Sequence, residues 1–221
     1  SFPINSIQIL KGIKILDCNY CTALKSLPLI PGLKILNCRG CSALESIPLI
    51  EGLEILNCYH CRSLTLIPVI PGLKELNCYH CSSLRSLPLI SGLKKLDCHG
   101  CILLESIPLI PGLIELYCSG CTLLKSLPLI FGLERLYCIG CTSLTSLPLI
   151  PGIISIDSSN CPWINPDEQR MDNLIKLQGW FKRNRTANKI VNTLPSINEW
   201  FYSPNGPGGI DAIKRNRERI E

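Results

Sequence analysis

Charged residues are scarce in this chain: only 18% of its 221 residues are Asp, Glu, Lys or Arg, whereas 46% are hydrophobic. This composition favours a continuous core and argues against disorder. No apolar stretch approaches the roughly 18 residues that span a bilayer, so we expect no membrane partner. The formal net charge is only +5 and the basic residues form no long run, so we expect no nucleic-acid partner.

The N-terminal stretch SFPINSIQIL lacks a basic region, an apolar signal core and an initiator methionine. We therefore expect no secretory signal, and the sequence is compatible with a fragment of a longer chain. Fifteen cysteines would ordinarily indicate a disulfide-bonded secreted domain. Their count is odd and their spacing is regular, which points to another cause.

The chain repeats itself every 20 residues. Residues 33–52 read LKILNCRGCSALESIPLIEG and residues 53–72 read LEILNCYHCRSLTLIPVIPG. Taking the first residue of each unit as position 1, seven full units begin at Ile13, Leu33, Leu53, Leu73, Leu93, Leu113 and Leu133. Half-units at 6–12 and 153–164 flank them. Because such a unit buries its apolar face only when stacked on others, we predict one solenoid over residues 1–164.

Apolar residues keep fixed positions within each unit. Leu36 and Cys38, at positions 4 and 6, fall on one side of an extended strand. Three later positions, 12, 15 and 18, return apolar side chains to the same core: Leu44, Ile47 and Ile50. Pro48 and Gly52 break any helix, so we expect the remainder to be extended or polyproline-like. Stacking then gives one parallel strand per unit, ~4.8 Å from the next.

The unit pattern L-x-x-L-x-C-x-x-C-x-x-L resembles the leucine-rich repeat, in the short variety whose units end LPxxPG, as in some bacterial effectors. The resemblance covers residues 6–164. It implies a leucine-rich-repeat horseshoe with one parallel β-sheet on its concave side and protein binding there. Related ubiquitin ligases carry a nucleophilic cysteine in a large helical domain beyond the repeats. No cysteine follows Cys161 here, so we expect no enzyme and no catalytic residue. The substrate-recognition part of a ubiquitin ligase is the second alternative function.

Most units carry Cys-x-x-Cys at positions 6 and 9. Because the pair is in phase with the leucines, and Ser158 replaces cysteine at position 6 of the last unit, we interpret the cysteines as two ladders of buried, reduced thiols. The alternative is a metal-binding solenoid that pools four thiols, such as Cys58, Cys61, Cys78 and Cys81, around zinc or an iron–sulfur cluster. We expect no metal and no cofactor, and a reducing compartment such as the cytoplasm.

Polar and aromatic side chains occupy the positions that should face away from the core on the strand side. The predicted partner-binding residues are Arg39, Asn57, Tyr59, His60, Asn77, Tyr79, His80 and His99. Like positions of neighbouring parallel strands lie ~4.8 Å apart, so these side chains should form one patch. Tyrosine-rich surfaces are typical of protein binding sites. A divalent metal held by His60 and His80 is the second interpretation.

Two further positions concern the opposite, convex side. Positions 17 and 18 are both apolar in every unit, but adjacent residues of an extended segment cannot both point inward. One of the two should therefore form a partly exposed apolar stripe. Position 13 alternates in charge along the units, which we interpret as a solvated charge ladder that serves solubility and register.

Residues 165–221 leave the 20-residue period. The stretch NPDEQRMDNLIKLQGWFKRNRTANKIVNTL has a partial apolar stripe of helical spacing, which predicts a short α-helical cap with help from Trp163, Trp180 and Trp200. LIKLQGWFKRNR together with LPSINEWFYSPNGPGG resembles C-terminal segments of leucine-rich-repeat and related proteins of giant amoeba viruses. That resemblance implies a viral protein that works in host cytoplasm or is carried in the virion.

Overall fold

The 20-residue period becomes one turn of a parallel β-solenoid. A computed structural model describes residues 12–148, 150 and 152–162. We call each turn a coil, number the coils 1 to 8 from Ile13, and keep the position numbers of the repeat unit. The predicted helical cap over 165–221 and the half-unit over 6–11 lie outside the described residues.

Each coil contributes one three-residue strand at positions 3 to 5. The strands are β1 (Ile15–Asp17), β2 (Ile35–Asn37), β3 (Ile55–Asn57), β4 (Glu75–Asn77), β5 (Lys95–Asp97), β6 (Glu115–Tyr117), β7 (Arg135–Tyr137) and β8 (Ser155–Asp157). They form one parallel sheet in chain order, from β1 to β8. The described residues contain no helix. They therefore include no helix that could cross a membrane.

The strands pair in register, so each residue lies beside the residue 20 positions further along. Leu36, for example, pairs with Leu16 on one side and with Leu56 on the other. Backbone hydrogen bonds continue past the strand ends. The N–H of position 6 donates to the position 5 carbonyl of the next coil, and the N–H of position 8 donates to the position 7 carbonyl. This continuation extends the hydrogen bonding between coils to positions 6 and 8.

Seven side chains per coil build the core, as the periodicity predicts. In coil 3 they are fully buried: Leu53, Leu56, Cys58, Cys61, Leu64, Ile67 and Ile70. The same positions are buried in coils 2 to 7 and form one continuous cluster. The ambiguity between positions 17 and 18 is settled, because Ile50 is buried whereas its neighbour Leu49 is exposed. Position 18 therefore belongs to the core and position 17 forms the exposed stripe.

The cysteines lie in the core for two different reasons. Thirteen of the 15 are buried, whereas Cys18 and Cys21 in coil 1 are more exposed. The thiol at position 9 donates a hydrogen bond to the position 6 carbonyl of the preceding coil, as from Cys81 Sγ to Cys58 O at 3.1 Å. The same carbonyl accepts the N–H of Cys61 at 3.2 Å. Two donors thus satisfy a carbonyl that no water reaches.

This thiol bond recurs along the solenoid with little variation. The distance from the position 9 Sγ to the carbonyl is 3.0 to 3.1 Å in six further pairs, whose donors are Cys41, Cys61, Cys101, Cys121, Cys141 and Cys161. The position 6 thiol has a different neighbour. Cys78, for example, interacts with the thiol of Cys101 in the next coil, and this contact together with burial raises the pKa of Cys78 well above its usual value. Position 6 thiols therefore stay protonated.

Because the two cysteine positions differ, we expect alanine to destabilise the fold more than serine at position 9, and serine to destabilise it more than alanine at position 6. Cys81→Ala leaves Cys58 O with one donor and should lower the free energy of unfolding by about 1–3 kcal/mol, whereas Cys81→Ser keeps a donor and should cost less. Cys78→Ser buries a hydroxyl without an assured acceptor, also at about 1–3 kcal/mol, and here Cys78→Ala should cost less. Urea unfolding followed by circular dichroism measures all four variants. The same order at both positions would contradict the assignment.

Candidate functional site

The eight predicted binding residues share one surface, which we call the strand face: the side chains at positions 3, 5, 7 and 8 that point away from the core. Positions 5, 7 and 8 lie at the carboxyl end of each strand and in the turn that follows. All eight residues are half-buried, which is the exposure of side chains that pack on one another while keeping an open side.

Five of these residues form one connected group of rings, here called the aromatic array: Tyr59, His60, Tyr79, His80 and His99. The imidazoles of His60 and His80 are stacked, with ring centroids 5.1 Å apart and planes 19° apart. The ring of Tyr79 lies 4.3 Å from that of His80 and 4.9 Å from that of His99. In-register stacking of coils 3 to 5 therefore produces the contiguous patch that the sequence predicts.

Arg39 extends the array toward the N-terminal end of the solenoid. Its guanidinium carbon lies 4.6 Å from the ring centroid of Tyr59 and 4.8 Å from that of Tyr20, so the cation is held between two rings. Arg39 also donates a hydrogen bond to the hydroxyl of Tyr20. Tyr20 was not among the predicted binding residues. It shares position 8 with His60 and His80, and that shared position was the signal that could have identified it.

Position 8 demands a left-handed backbone in every coil. Gly40, Gly100, Gly120 and Gly140 occupy it with φ of 66–68°, as expected for a conformation that glycine adopts without a steric penalty. The other occupants with positive φ are Tyr20 (59°), His60 (59°), His80 (55°) and Asn160 (60°). A non-glycine residue costs about 1 kcal/mol or more in this conformation. Coils 1, 3 and 4 therefore carry aromatic side chains where the backbone favours glycine.

Each position 8 aromatic ring leans over the next coil. A Cβ atom added to Gly100 would lie 2.6 Å from Cε1 of His80, and one added to Gly40 would lie 2.7 Å from Cδ1 of Tyr20. Neither distance is compatible with an ordinary side chain. The His80 ring thus packs directly on the backbone of Gly100, where any side chain would collide with it. Gly100 also ends the row of position 8 rings that begins at His60.

The asparagine and aspartate residues at position 5 have a supporting role. Asn77 Oδ1 accepts a hydrogen bond from the N–H of Tyr79, and Asp97 Oδ1 accepts one from the N–H of His99, both at 3.1 Å. These N–H groups are not part of the ladder between coils, so the side chain satisfies them. The amide of Asn77 therefore positions the array. Asn57 Oδ1 is buried and has no such donor.

Electrostatics disfavour the charged form of His60 at the centre of the array. Burial lowers the pKa of His60, and the nearby charges of His80, Arg62 and Arg39 lower it further. Burial raises the pKa of Asp97, although the His99 N–H opposes this. Within the described part of the chain, no three or more His, Cys, Asp or Glu side chains are grouped so that they could hold a metal ion.

A second aromatic pair lies further along the strand face and was not among the predicted site residues. Tyr117 and Tyr137, at position 5 of coils 6 and 7, stack with centroids 5.1 Å apart and planes 2° apart. Tyr117 donates its hydroxyl hydrogen to Glu115, which also pairs with Arg135. The Lys95 ammonium lies 5.6 Å from the Tyr117 ring. The replacement of Asn or Asp by Tyr at position 5 was the sequence signal.

Comparison with protein-family models and with curated proteins found no match for this chain. The interpretation of the strand face therefore rests on the repeat pattern and on the geometry of the side chains. That geometry is a row of half-buried rings. They pack on one another and, at His80, on the backbone of Gly100, and their outer side is exposed to solvent.

Gly100 and Gly120 offer a matched test of the His80 contact, because both have φ of 68°. Replacement of either by Ala costs about 1 kcal/mol from the left-handed conformation. A Cβ at Gly120 meets nothing closer than 3.7 Å, whereas one at Gly100 displaces His80. We expect Gly100→Ala to lower the free energy of unfolding by about 1 kcal/mol more than Gly120→Ala, and to shift the imidazole NMR resonances of His80. Equal losses with unchanged resonances would refute the contact.

The lowered pKa of His60 also predicts a pH dependence of stability. Between the ordinary histidine pKa of about 6.5 and the lower pKa of folded His60, the unfolded chain binds more protons. The stability that neutral His60 allows is therefore fully present above about pH 6.5, and the free energy of unfolding decreases as the pH falls through that interval. His60→Asn removes the titration and keeps a residue type that Asn160 shows in the same conformation. Chemical unfolding at about pH 7.5 and about pH 5 should show a smaller loss of stability in the variant than in the native chain.

Proposed function

We propose that this chain is a non-enzymatic protein-interaction module of the leucine-rich-repeat type, which binds a partner protein through its strand face. In that fold the strand face is the concave side of a horseshoe, the convex side is extended or polyproline-like, and an α-helical cap over 165–221 closes the end. Support comes from the in-phase leucine pattern and from the single parallel sheet with one strand per coil.

The observation that carries the proposal is the placement of His60 and His80 at left-handed positions. Four other coils use glycine there, at no conformational cost. Backbone strain that the fold does not need is characteristic of functional sites. The strained residues hold the two imidazoles in the centre of the aromatic array, where they contact Tyr59 and Tyr79 on either side.

The array has the chemistry of a protein contact surface. Tyrosine and histidine offer large, rigid rings with a polar atom at the edge, so they bury much area with little loss of side-chain entropy. Arg39 is immobilised between two rings, which lowers the entropy lost when a partner covers it. The partner that fits is a protein surface with apolar groups for the rings and hydrogen-bonding groups for Tyr59, Tyr79 and the imidazoles.

The cellular setting belongs to the same proposal. Free thiols throughout the core favour a reducing compartment, and the likeness of the tail to proteins of giant amoeba viruses favours a viral protein in host cytoplasm or in the virion. We include neither nucleic acid nor membrane among the partners. The modest net charge of +5 supports the first point.

Two alternative functions remain. One is a structural or metal-binding cysteine-ladder solenoid, and the observation in its favour is that thiols of neighbouring coils interact, as Cys58 does with Cys81. Metal analysis of anaerobically purified protein separates this function from partner binding. The other is substrate recognition for a ubiquitin ligase, which would use the same strand face.

The binding proposal is tested by Tyr59→Ala combined with Tyr79→Ala in a pull-down from host lysate. The two rings are central to the array, so we expect their removal to weaken partner recovery by about 30-fold or more, as for a hot spot of ~2 kcal/mol. Thr65→Ala, on the opposite side of the coil, is the matched control and should bind as the native chain does. Unchanged recovery by the tyrosine variant, with an intact circular dichroism spectrum, would move the site elsewhere.

His60→Gly combined with His80→Gly separates binding from stability. Glycine relieves the left-handed strain but removes the stacked rings, and these effects are each about 1 kcal/mol and opposite in sign. We expect the free energy of unfolding to change by less than about 1 kcal/mol while partner recovery falls. A variant that binds normally would show that the strained histidines serve the fold and not the partner.

A further inference from the structure

The outer side of the solenoid carries a second organised surface, which the proposed function does not use. We call it the return face: the side chains at positions 13, 14 and 17 of coils 1 to 6, which point away from the core. Position 17 is an apolar stripe whose members are 48–59% exposed: Leu29, Leu49, Val69, Leu89 and Leu109. A contiguous apolar stripe of this kind is characteristic of an interaction surface.

A row of charges runs beside the stripe at position 13. Its members in coils 1 to 5 are all exposed: Lys25, Glu45, Thr65, Arg85 and Glu105. Backbone bonds between neighbouring coils order the middle of this row, since the N–H of Thr65 donates to the Glu45 carbonyl at 3.2 Å. Their signs read plus, minus, neutral, plus, minus. This order is complementary to its own reverse.

We propose that the return face binds a second copy of this chain, in an antiparallel arrangement about a twofold axis that crosses coil 3. An axis in the plane of the interface, along the return segment, sets each row against the same row of the other copy with the coil order reversed. Lys25 then meets Glu105 of the second copy and Glu45 meets Arg85 of the second copy. Each pair occurs twice by symmetry, and no like charges meet in this row.

Coil 3 is distinct at each of the three positions that the axis would cross. Thr65 is neutral, so it meets its own counterpart without repulsion. Leu66 replaces the serine found at position 14 of all six other full units and is 58% exposed. Val69 replaces the leucine found at position 17 of the other six. A neutral residue, an added apolar side chain and a smaller side chain suit a close self-contact at a twofold axis.

Other positions of the axis fit less well. An axis through coil 1, 2, 4, 5 or 6 would set a charged residue of row 13 against itself. An axis through Thr145 in coil 7 would leave coils 1 to 5 without a counterpart. An axis between coils gives like-charge pairs or at most one distinct pair of opposite charge. Only coil 3 yields two distinct opposite pairs without a like pair.

The size of the surface sets the strength of the association. Coils 1 to 5 span about 20 Å at ~4.8 Å per coil, and positions 13 and 17 lie about 13 Å apart in an extended segment. Such a patch covers about 260 Å² per copy, well below the roughly 800 Å² per partner of a standard interface. The expected dimer is therefore weak and concentration-dependent.

Sedimentation velocity of the full chain from about 10 µM to about 500 µM tests the proposal. The native chain should shift from monomer toward dimer with concentration. Glu45→Arg and Arg85→Glu each create like-charge contacts and should weaken association about tenfold or more. A 1:1 mixture of these two variants restores both pairs across the interface and should associate at least as well as the native chain.

Two controls fix the site. Glu134→Lys reverses an exposed charge at position 2 of coil 7, outside the return face, and should leave association unchanged, as should Tyr59→Ala combined with Tyr79→Ala on the strand face. Leu66→Ser, which introduces the residue of every other full unit, should weaken association. A native chain that stays monomeric throughout, or single variants that associate as well as their mixture, would overturn the proposal. Loss of association in the tyrosine variant would place the contact on the strand face instead.

Discussion

Each coil is stacked in register on the next, with every residue beside its counterpart 20 positions along the chain. The hydrogen bonds of the parallel sheet fix this offset, and they continue from the strand into positions 6 and 8. Everything else follows from it, because a side chain placed once in a coil is placed beside its equivalents in the neighbouring coils. Leucines then meet leucines in the core, and tyrosines and histidines meet on the surface.

The same constraint explains the cysteines. A turn after the strand brings the carbonyl of position 6 into the core, where it accepts the N–H of position 9 in its own coil and the position 9 thiol of the next coil. The thiol of Cys81 reaches the carbonyl of Cys58 and is small enough to leave the leucines of the core in contact. A Cys-x-x-Cys pair in a single coil resembles a metal or redox motif, but here its second thiol serves a structural hydrogen bond.

Much of the fold could be predicted from the sequence, since the period and the apolar positions determine the coil, the strand and the core. The sequence could not decide whether Leu49 or Ile50 points inward, because both are equally apolar and the choice depends on the turn that precedes them. It placed Asn77 with Tyr79 as a binding residue, whereas the amide side chain of Asn77 holds the N–H of Tyr79. Tyr20 was not predicted because its contact is with Arg39, which lies at a different position of the next coil. A comparison of like positions in neighbouring coils does not reveal such a contact.

The thiol bond has one direction: the carbonyl of each coil is satisfied by the coil that follows it. Insertion or removal of one complete 20-residue unit therefore leaves every such carbonyl paired, provided that the junction keeps the register. An insertion of another length between positions 3 and 9 of a coil would break the ladder on one side. Duplication or deletion of whole units can therefore lengthen or shorten this chain, so the strand face and the return face can gain or lose whole rows of side chains without a redesign of the core.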